Sequence, residues 1–368
     1  MTTITAVRTT TLTAAMPRPW VPSAPWLHLV RVDVDCSDGV TGTGFSWTPT
    51  IGAAAVRALI DTDIAAFATG RSAAPRELWP ELWRHLHEAG GAGITTIAMA
   101  GVDLALWDAA GRRAALGLAD LVGRVRGTVG VYASGVNLHY PHDELVAQAQ
   151  RWVDAGYDAV KIKVGRPDLA DDVDRVAAVR EVIGPHRELM IDANQRWDLP
   201  TAVAAIGALE RFDLRWIEEP LRSDDTLGYL ELRGSIGVPI AMGENVHTAH
   251  RFRELAALGA ADVLQPNVIR VGGITPFLEI AELIDAADLV LAPHLLPELS
   301  GQLAMTTAQQ TRIERVEDAD LDTLGLLDGP SPVRFSTDGT DPGPPRLSAP
   351  GSPGLGIPLV RRSPREES

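Results

Sequence analysis

Eight short apolar segments alternate with amphipathic stretches along most of this chain, and this alternation limits its fold more than any other feature. The segments begin roughly 23 to 30 residues apart and read GVYAS, AVKIKV, ELMID, RWIEE, PIAMGE, DVLQPN, LVLAPH and RIERVE. Such a repeat of strand and helix is typical of an α/β protein with a parallel sheet. Eight repeats predict a TIM-type barrel over residues 126–316, with the reactive side chains at the carboxyl ends of the strands. An open doubly wound sheet is the alternative, but no glycine-rich nucleotide-binding motif follows the first strand.

The segments on either side of the repeat have other patterns. Residues 1–48 alternate apolar and polar side chains between turn signals, which predicts an antiparallel meander. From residue 52 to 122 the spacing of apolar residues becomes helical. Residues 1–125 are therefore expected to form an α+β N-terminal domain. The Pro- and Gly-rich segment 317–368 is expected to return and pack on that domain.

Charge and cysteine content exclude several classes of protein. The chain has 48 acidic and 33 basic residues, a net charge of -15, and no basic run, so nucleic acid and anionic membrane are poor partners. No uninterrupted apolar run approaches the length of a membrane span. The single cysteine, Cys36, excludes a disulfide within the chain and is typical of the reducing cytoplasm. We therefore expect a soluble cytoplasmic protein.

Lys161 and Lys163 are the only lysines, whereas the other 31 basic residues are arginines. They lie two residues apart on one predicted strand, so both side chains are expected on the face that points into the barrel mouth. An ammonium group can lose its proton near neutral pH, whereas a guanidinium group cannot. Two neighbouring, partly desolvated ammonium groups lower each other's pKa, which predicts that one lysine acts as a base. The alternative is a structural role in ion pairs that cap the barrel.

Three carboxylates end successive strands at a constant spacing. Asp192, Glu218 and Glu244 are each separated by 26 residues (218 - 192 and 244 - 218), which is one strand and helix repeat. Side chains at the ends of adjacent strands converge, and three uncompensated carboxylates would repel one another. A divalent cation removes this repulsion, and a site made only of oxygen ligands favours Mg²⁺ over Zn²⁺. A single Asp after a strand is usually a helix N-cap, but three in register are not explained that way.

Further polar side chains also follow the predicted strands. The chain has four asparagines, all placed just after barrel strands: Asn137, Asn194, Asn245 and Asn267. Asn194 and Asn245 are candidates for binding a hydroxylated or carboxylated ligand, whereas Asn137 is compatible with a simple turn. His294 ends the seventh strand, and Glu314 lies on the eighth. A metal, a lysine base and a histidine on one rim suit a carboxylate substrate whose α-proton is removed to give an enediolate.

These motifs together resemble the mandelate racemase branch of the enolase superfamily. The similarity extends over nearly the whole chain and is carried by KIKVG, DANQRW, WIEEP, MGEN, VGGIT, PHLLPELS and PGLG. The resemblance implies a modified (β/α)7β barrel under an α+β capping domain that the C-terminal segment completes, and a homo-oligomer. It also implies that a specificity loop of the capping domain lies near Met16 to Pro25, where Trp20 is a candidate substrate contact.

The resemblance also implies a role for each motif residue. Asp192, Glu218 and Glu244 correspond to the Mg²⁺ ligands, and Glu219 to a residue that supports them. Lys163 corresponds to the base and Lys161 to its partner, while Asn194 would contact the substrate near the metal. His294 corresponds to the second acid or base, and Glu314 to the group that hydrogen-bonds the substrate carboxylate.

One position departs from the family pattern. Asn267 lies where the family has an aspartate that forms a dyad with the histidine, and a neutral amide orients the ring without stabilising its cation. This weakens His294 as a base and argues against a racemase, which needs two matched bases. The sequence therefore predicts a lyase that dehydrates an aldonate or aldarate to a 2-keto-3-deoxy acid. The alternatives are a racemase, epimerase or lactone cycloisomerase, and, from another class, a non-catalytic ligand-binding descendant.

Overall fold

The N-terminal domain is a three-stranded antiparallel sheet covered by helices. It is seen in a computed structural model that describes residues 1–20, 22–48, 50–309, 311–336 and 343–363; Val21, in the predicted specificity loop, lies outside them. The strands follow in the order β1 (Ile4–Ala15), β2 (Trp26–Cys36) and β3 (Thr41–Thr48). The helices are α1 (Ala53–Leu59), a π-helical turn (Ile60–Ile64), α2 (Ala65–Ala68), α3 (Pro75–Leu86), α4 (Ile94–Ala114) and α5 (Leu118–Val122).

Helix α4 lies directly on β3 because two glycines of the strand leave room for it. A Cβ atom on Gly42 would lie 1.9 Å from the carbonyl oxygen of Ala105, and one on Gly44 would lie 2.4 Å from that of Gly101. The strand and the helix are therefore in backbone contact. Among the described helices, α4 is long and apolar enough to cross a membrane, but 89% of its most apolar window is buried inside the protein. The helical spacing of apolar residues over 52–122 anticipated this helix.

In the described part of the chain, eight parallel strands form the barrel. They are β4 (Thr128–Ser134), β5 (Ala159–Lys163), β6 (Glu188–Asp192), β7 (Leu214–Glu218), β8 (Ile240–Met242), β9 (Val263–Leu264), β10 (Val290–Leu291) and β11 (Arg312–Val316). Neighbouring strands pair from β4 through to β10, and β11 pairs in parallel with β4. Side chains link β10 to β11, since Thr311 donates to the carbonyl of Leu291 and Gln309 accepts from the Leu291 N–H at 3.2 Å.

Within the residues that the structure describes, seven α-helices connect these eight strands, which confirms the predicted (β/α)7β barrel. They are α6 (His142–Asp154), α7 (Leu169–Ile183), α8 (Leu199–Leu209), α9 (Thr226–Arg233), α10 (Ala249–Leu258), α11 (Ile274–Ala286) and α12 (Pro297–Ala304). Asp168, Asp198, Asp225 and Thr248 cap the first turns of four of them through side-chain oxygens.

The barrel interior has an apolar floor. Seven buried side chains, one from each of seven strands, form a cluster that comprises Tyr132, Ala159, Met190, Trp216, Ala241, Val263 and Ala292. Because strand side chains alternate, the next inward position on each strand is two residues further along. The floor therefore lies under a layer that includes Lys161, Asp192, Glu218 and His294.

The C-terminal segment contacts both domains. Strand β12 (Arg334–Phe335) pairs with β13 (Arg346–Ser348), and β13 pairs antiparallel with β4. Further along, the backbone N–H of Leu355 donates to Asp108 at 2.8 Å, and the guanidinium of Arg31 donates to the carbonyl of Leu359 at 2.6 Å. Asp108 and Arg31 both lie in the N-terminal domain. The return to that domain was anticipated, whereas the added strand pair was not.

Candidate active site

Lys161 lies at the centre of a buried network of charges. Its side chain is fully buried, and its Nζ lies 2.6 Å from Glu218 Oε1 and 2.8 Å from Glu314 Oε1. Burial disfavours the ammonium form, but the charges of Glu218 and Glu314 outweigh it and raise the pKa of Lys161 well above its ordinary value. Lys161 is thus a permanent cation that neutralises carboxylates below the barrel mouth.

Lys163 lies two residues further along β5 and closer to the barrel mouth, and it forms an ion pair with Asp192. Burial and the repulsion from Lys161 lower its pKa, but the carboxylates of Asp192, Glu244 and Glu218 together outweigh them, so the pKa of Lys163 is raised. Lys161 does lower the pKa of Lys163, but the expected net lowering is wrong, because that argument left out the facing carboxylates. An Asp192 that also holds a cation would stabilise the ammonium less. Asn137 supports the strand end by accepting from the backbone N–H of Lys163 at 2.9 Å.

The three carboxylates predicted from their spacing converge. One ligand oxygen of each of Asp192, Glu218 and Glu244 lies within 4.8 Å of the others. Burial and the neighbouring Asp192 carboxylate raise the pKa of Glu218 to about 7 despite the nearby Lys161. The site therefore carries more negative charge than its lysines balance. A donor set made only of carboxylate oxygens fits Mg²⁺, and these residues could hold it.

Two side-chain amides, those of Gln265 and Asn245, hold the carboxylates in place by hydrogen bonds. Gln265 donates to Glu218 at 2.6 Å. Asn245 donates to Glu219 at 2.8 Å and to Glu244 at 3.0 Å, so it braces the carboxylates. Burial and the nearby Glu244 raise the pKa of Glu219 well above its ordinary value. Gln265 was missed from the sequence, although its position two residues after Val263 points it into the barrel.

Asn194 follows β6 in a left-handed conformation, with a φ of 43°. Its backbone N–H donates to Asp192 Oδ1 at 2.7 Å, and its amide nitrogen lies 3.3 Å from Asp192 Oδ2. The tight turn keeps the amide at the rim, where it lines a cavity together with Lys163. The predicted contact of Asn194 with a ligand bound beside the carboxylates stays a prediction.

Asn267 fixes the proton position on His294. Its Oδ1 accepts from the backbone N–H groups of Ile269 at 3.0 Å and Arg270 at 3.1 Å. The amide nitrogen therefore faces His294 Nδ1, 3.0 Å away. Because an amide nitrogen only donates, Nδ1 must accept, and the imidazole proton lies on Nε2. That nitrogen is 2.9 Å from Glu244 Oε2.

Two features of the site act in opposite directions on the binding of a second proton by His294. Burial lowers the pKa of His294, but the Glu244 and Glu314 carboxylates outweigh it and raise the pKa. Protonated Nδ1 would, however, point at the N–H groups of Asn267, so the amide would have to turn and lose its two backbone hydrogen bonds. In the observed arrangement the ring presents an Nε2–H donor and no free basic nitrogen to the cavity.

Glu314, on β11, lies between the side chains of Lys161 and His294. Its Oε1 binds Lys161, and its Oε2 lies 3.7 Å from His294 Nε2. Burial raises its pKa, but the charges of Lys161 and His294 dominate and lower it to about 2. Glu314 is therefore an ionised acceptor here, and a hydrogen bond to a substrate carboxylate would require it to gain a proton.

A cavity of about 320 Å³ lies above these groups, between the barrel and the N-terminal domain. Its polar wall contains six of the residues that the sequence identified: Lys163, Asn194, Glu244, Asn267, His294 and Glu314. Its apolar wall contains Trp20, Trp47, Val136, Leu138, Ile269, Leu295 and Val316. Trp20 was anticipated, whereas Trp47, Arg196 and Arg270 were missed.

Comparison with known protein families matches both parts of the chain. Residues 6–123 match the mandelate racemase / muconate lactonizing enzyme N-terminal domain. Residues 144–363 match the enolase C-terminal domain-like family. Together the two matches extend over the capping domain, the barrel from within α6 onwards and the returning segment.

Three relatives show what this chain resembles. It is 38% identical to a 3,6-anhydro-alpha-L-galactonate cycloisomerase from Streptomyces coelicolor, in an alignment that covers 90% of this chain and 89% of that one. A crystal structure of a racemase from Streptomyces coelicolor with bound magnesium has a TM-score of 0.88 and 36% identity, covering 97% of each chain. The L-talarate dehydratase of a Polaromonas species, crystallised with Mg and L-glucarate, has a TM-score of 0.84 and 34% identity, covering 98% of this chain and 96% of that one. Magnesium is the cofactor that these similarities and the carboxylate triad support.

Proposed function

Because the chain belongs to the mandelate racemase and muconate lactonizing enzyme family of the enolase superfamily, we propose that it catalyses a Mg²⁺-dependent β-elimination from a sugar acid. The observation that supports this proposal is that Lys163 and His294 line the same cavity, with the carboxylate triad between them in the barrel mouth. The triad Asp192, Glu218 and Glu244 would hold the metal. Bound there, Mg²⁺ neutralises the charge that gathers on the substrate carboxylate as the α-proton leaves.

Each side chain has a separate role in the proposed reaction. Lys163 takes the α-proton, and Asn194 orients the substrate beside the triad. The β-oxygen leaves with its bonding electron pair, receives a hydrogen bond from His294 Nε2–H and takes up one proton from solvent, which is balanced when Lys163 returns the α-proton to solvent. A C2–C3 double bond forms, and the resulting enol takes up a proton at C3 to give a 2-keto-3-deoxy acid. One base suffices for this sequence, which agrees with the Nε2–H that Asn267 imposes on His294.

Two forms of this elimination differ only in the leaving oxygen. In dehydration, the form predicted from the sequence, a β-hydroxyl departs as water. In ring opening, the β-oxygen belongs to an anhydro or lactone ring and remains in the product, so the reaction is an isomerisation. The apolar wall of the cavity favours the second form, and the cycloisomerase similarity supports it.

Proton NMR in D₂O tests the proposal. The purified protein with Mg²⁺ would be incubated with open-chain sugar acids, their anhydro and lactone forms, and simple α-hydroxy acids. We expect a keto-deoxy product that Lys163→Ala abolishes and that Arg222→Ala, at an exposed surface pair with Asp224, leaves unchanged. Deuterium at the α-carbon with every carbon–oxygen bond intact would instead assign a racemase or epimerase. No exchange with any acid would favour a ligand-binding descendant.

The oligomeric state of the protein and its location in the cell stay predictions. We expect a homo-oligomer, because relatives of this kind commonly form symmetric assemblies, and a cytoplasmic protein, because one buried cysteine fits a reducing compartment. Size-exclusion chromatography with light scattering measures the first, and fractionation of the source cell measures the second.

A further inference from the structure

Arg175 is a buried cation that no carboxylate neutralises directly. It lies on α7, the helix that follows β5, and is 2% exposed. No ion pair joins it to an acid within the described part of the chain. Burial and the charge of Arg166 lower its pKa to about 10, so the guanidinium stays protonated at neutral pH. A buried charge without a counterion is costly, which points to a specific task for this side chain.

The guanidinium of Arg175 binds backbone carbonyls of the loop between β4 and α6. Its Nη1 donates to the carbonyl of Tyr140 at 3.1 Å, and its Nη2 donates to that of Asn137 at 2.9 Å. The same loop contributes Val136 and Leu138 to the wall of the cavity. One side chain of α7 therefore fixes two points of a loop that borders the cavity.

Asp172, three residues before Arg175 on the same helix, binds the loop that follows β5. Its Oδ2 accepts from the backbone N–H groups of Gly165 at 2.7 Å and Arg166 at 3.0 Å. Residues three apart lie on one face of a helix. The carboxylate thus takes backbone donors, and the guanidinium beside it takes backbone acceptors. Through this pair, α7 holds the ends of β4 and β5 together.

The two loops meet at the backbone of Lys163. Asn137, whose carbonyl is bound by Arg175, accepts from the backbone N–H of Lys163 through its side-chain oxygen at 2.9 Å. Its amide nitrogen donates to Gln148 at 2.8 Å, so Asn137 is held at both ends. Arg175 Nη2 also lies 3.5 Å from the carbonyl oxygen of Lys163 itself. The contacts of Arg175 therefore lead to the residue at the end of β5.

We propose that Arg175 is a positioning residue for Lys163, and that it acts by holding Asn137 while Asp172 holds the loop on the other side. The proposal rests on the proposed function, in which Lys163 removes the α-proton. A misplaced base affects the transition state more than the binding of substrate, so loss of Arg175 should lower kcat and leave KM nearly unchanged. The competing interpretation is that Arg175 only stabilises the fold.

Arg180 gives a matched control on the same helix. Its guanidinium also donates to backbone carbonyls, those of Phe212, Gly184, Arg187 and Asp213. These residues precede β6 and β7, so they lie at the amino ends of the strands, opposite to the cavity. Arg175→Met and Arg180→Met each remove a guanidinium that binds carbonyls, one at each end of the barrel.

Selective ¹⁵N-lysine labelling measures the effect on Lys163 without any substrate. Because Lys161 and Lys163 are the only lysines, the labelled protein gives two backbone amide signals. In Arg175→Met we expect the Lys163 amide to exchange with D₂O at least about tenfold faster, through local opening of its contact with Asn137, while Lys161 changes little. A general loss of stability would instead accelerate both amides alike. Arg180→Met should not accelerate Lys163 selectively.

Selective acceleration at Lys163 would support the proposal even if the wild-type protein turned no acid over, an outcome that would contradict only the proposed function. An unchanged Lys163 amide in Arg175→Met, or equal acceleration at both lysines, would overturn it. If Arg175→Met does not fold, Arg175→Lys keeps the buried charge and is measured in the same way, its own amide being the signal that the wild type lacks.

Kinetics give the second measurement, with Mg²⁺ and whichever acid the wild-type protein converts in the NMR test. Arg175→Met should lower kcat about tenfold and change KM less than about twofold, whereas Arg180→Met should leave both unchanged. A raised KM with unchanged kcat in Arg175→Met would mean that Arg175 shapes the cavity wall and does not position the base.

Discussion

Asn267 Nδ2 lies 3.0 Å from His294 Nδ1, so the histidine of this site is held by a donor. A carboxylate at the same position would accept a hydrogen bond from Nδ1–H and leave Nε2 free to act as a base. One oxygen-to-nitrogen exchange thus separates a site with a single base from a site with two.

Asn267→Asp should therefore give His294 the ability to remove an α-proton. The aspartate can keep the two backbone hydrogen bonds of Asn267 while stabilising an Nδ1–H. We expect α-deuteration or C2 epimerisation from the histidine side to rise at least about tenfold, measured by NMR of the recovered substrate in D₂O. Asn267→Ala is the control, since it loses the contact without adding charge. Identical behaviour of the two variants would contradict the tautomer assignment.

Mg²⁺ should stabilise the folded protein through the carboxylate triad. A ligand at 100 times its dissociation constant adds about 2.7 kcal/mol to the free energy of unfolding, so Tm should rise when Mg²⁺ replaces chelator. Glu244→Gln should abolish most of that rise. Glu254→Gln, in a surface pair with Arg251, should keep it. A full Mg²⁺ response in Glu244→Gln would remove this residue from the metal site.

Much of the site could be predicted because barrel periodicity turns sequence spacing into position. The 26-residue intervals brought Asp192, Glu218 and Glu244 together. Trp47 could not be found this way, since its place over the barrel depends on how the capping domain docks, and β3 carries no spacing relation to the barrel strands. The pKa direction of Lys163 also failed, because it depends on which carboxylate lies opposite.

Two glycine-to-alanine substitutions should have opposite effects on stability, one at the contact between β3 and α4 and one in helix α8. A Cβ on Gly44 would meet backbone atoms of Gly101 and Ala105 at 2.4 and 2.5 Å, which cannot move without separating strand from helix. Gly44→Ala should lower the free energy of unfolding by about 1–3 kcal/mol or more. Gly207, in helix α8, has open space around its Cβ position. Gly207→Ala should stabilise by roughly 0.5–1 kcal/mol. Urea unfolding measures both, and equal signs would contradict the packing.

Glu298 should make stability fall as pH rises. It is buried at the start of α12, where burial and then the nearby Asp320 raise its pKa to about 8. Its unfolded pKa is about 4.3, so between these values the folded state binds the proton that the unfolded state has lost. Stability from this group is complete below the unfolded value and is lost as pH approaches the folded value.

Glu298→Gln removes this titration while keeping an oxygen for the Leu321 N–H, which Glu298 Oε1 binds at 2.8 Å. The variant should gain stability over the wild type as pH rises, by at least about 1.4 kcal/mol at pH 8, the value of one pKa unit. Near pH 4.5 that gain should vanish. Glu279→Gln, in an exposed pair with Arg253, should show no such dependence. Urea unfolding at pH 5, 6, 7 and 8 measures the slope, and parallel wild-type and Glu298→Gln curves would mean that Glu298 is ionised in the folded protein.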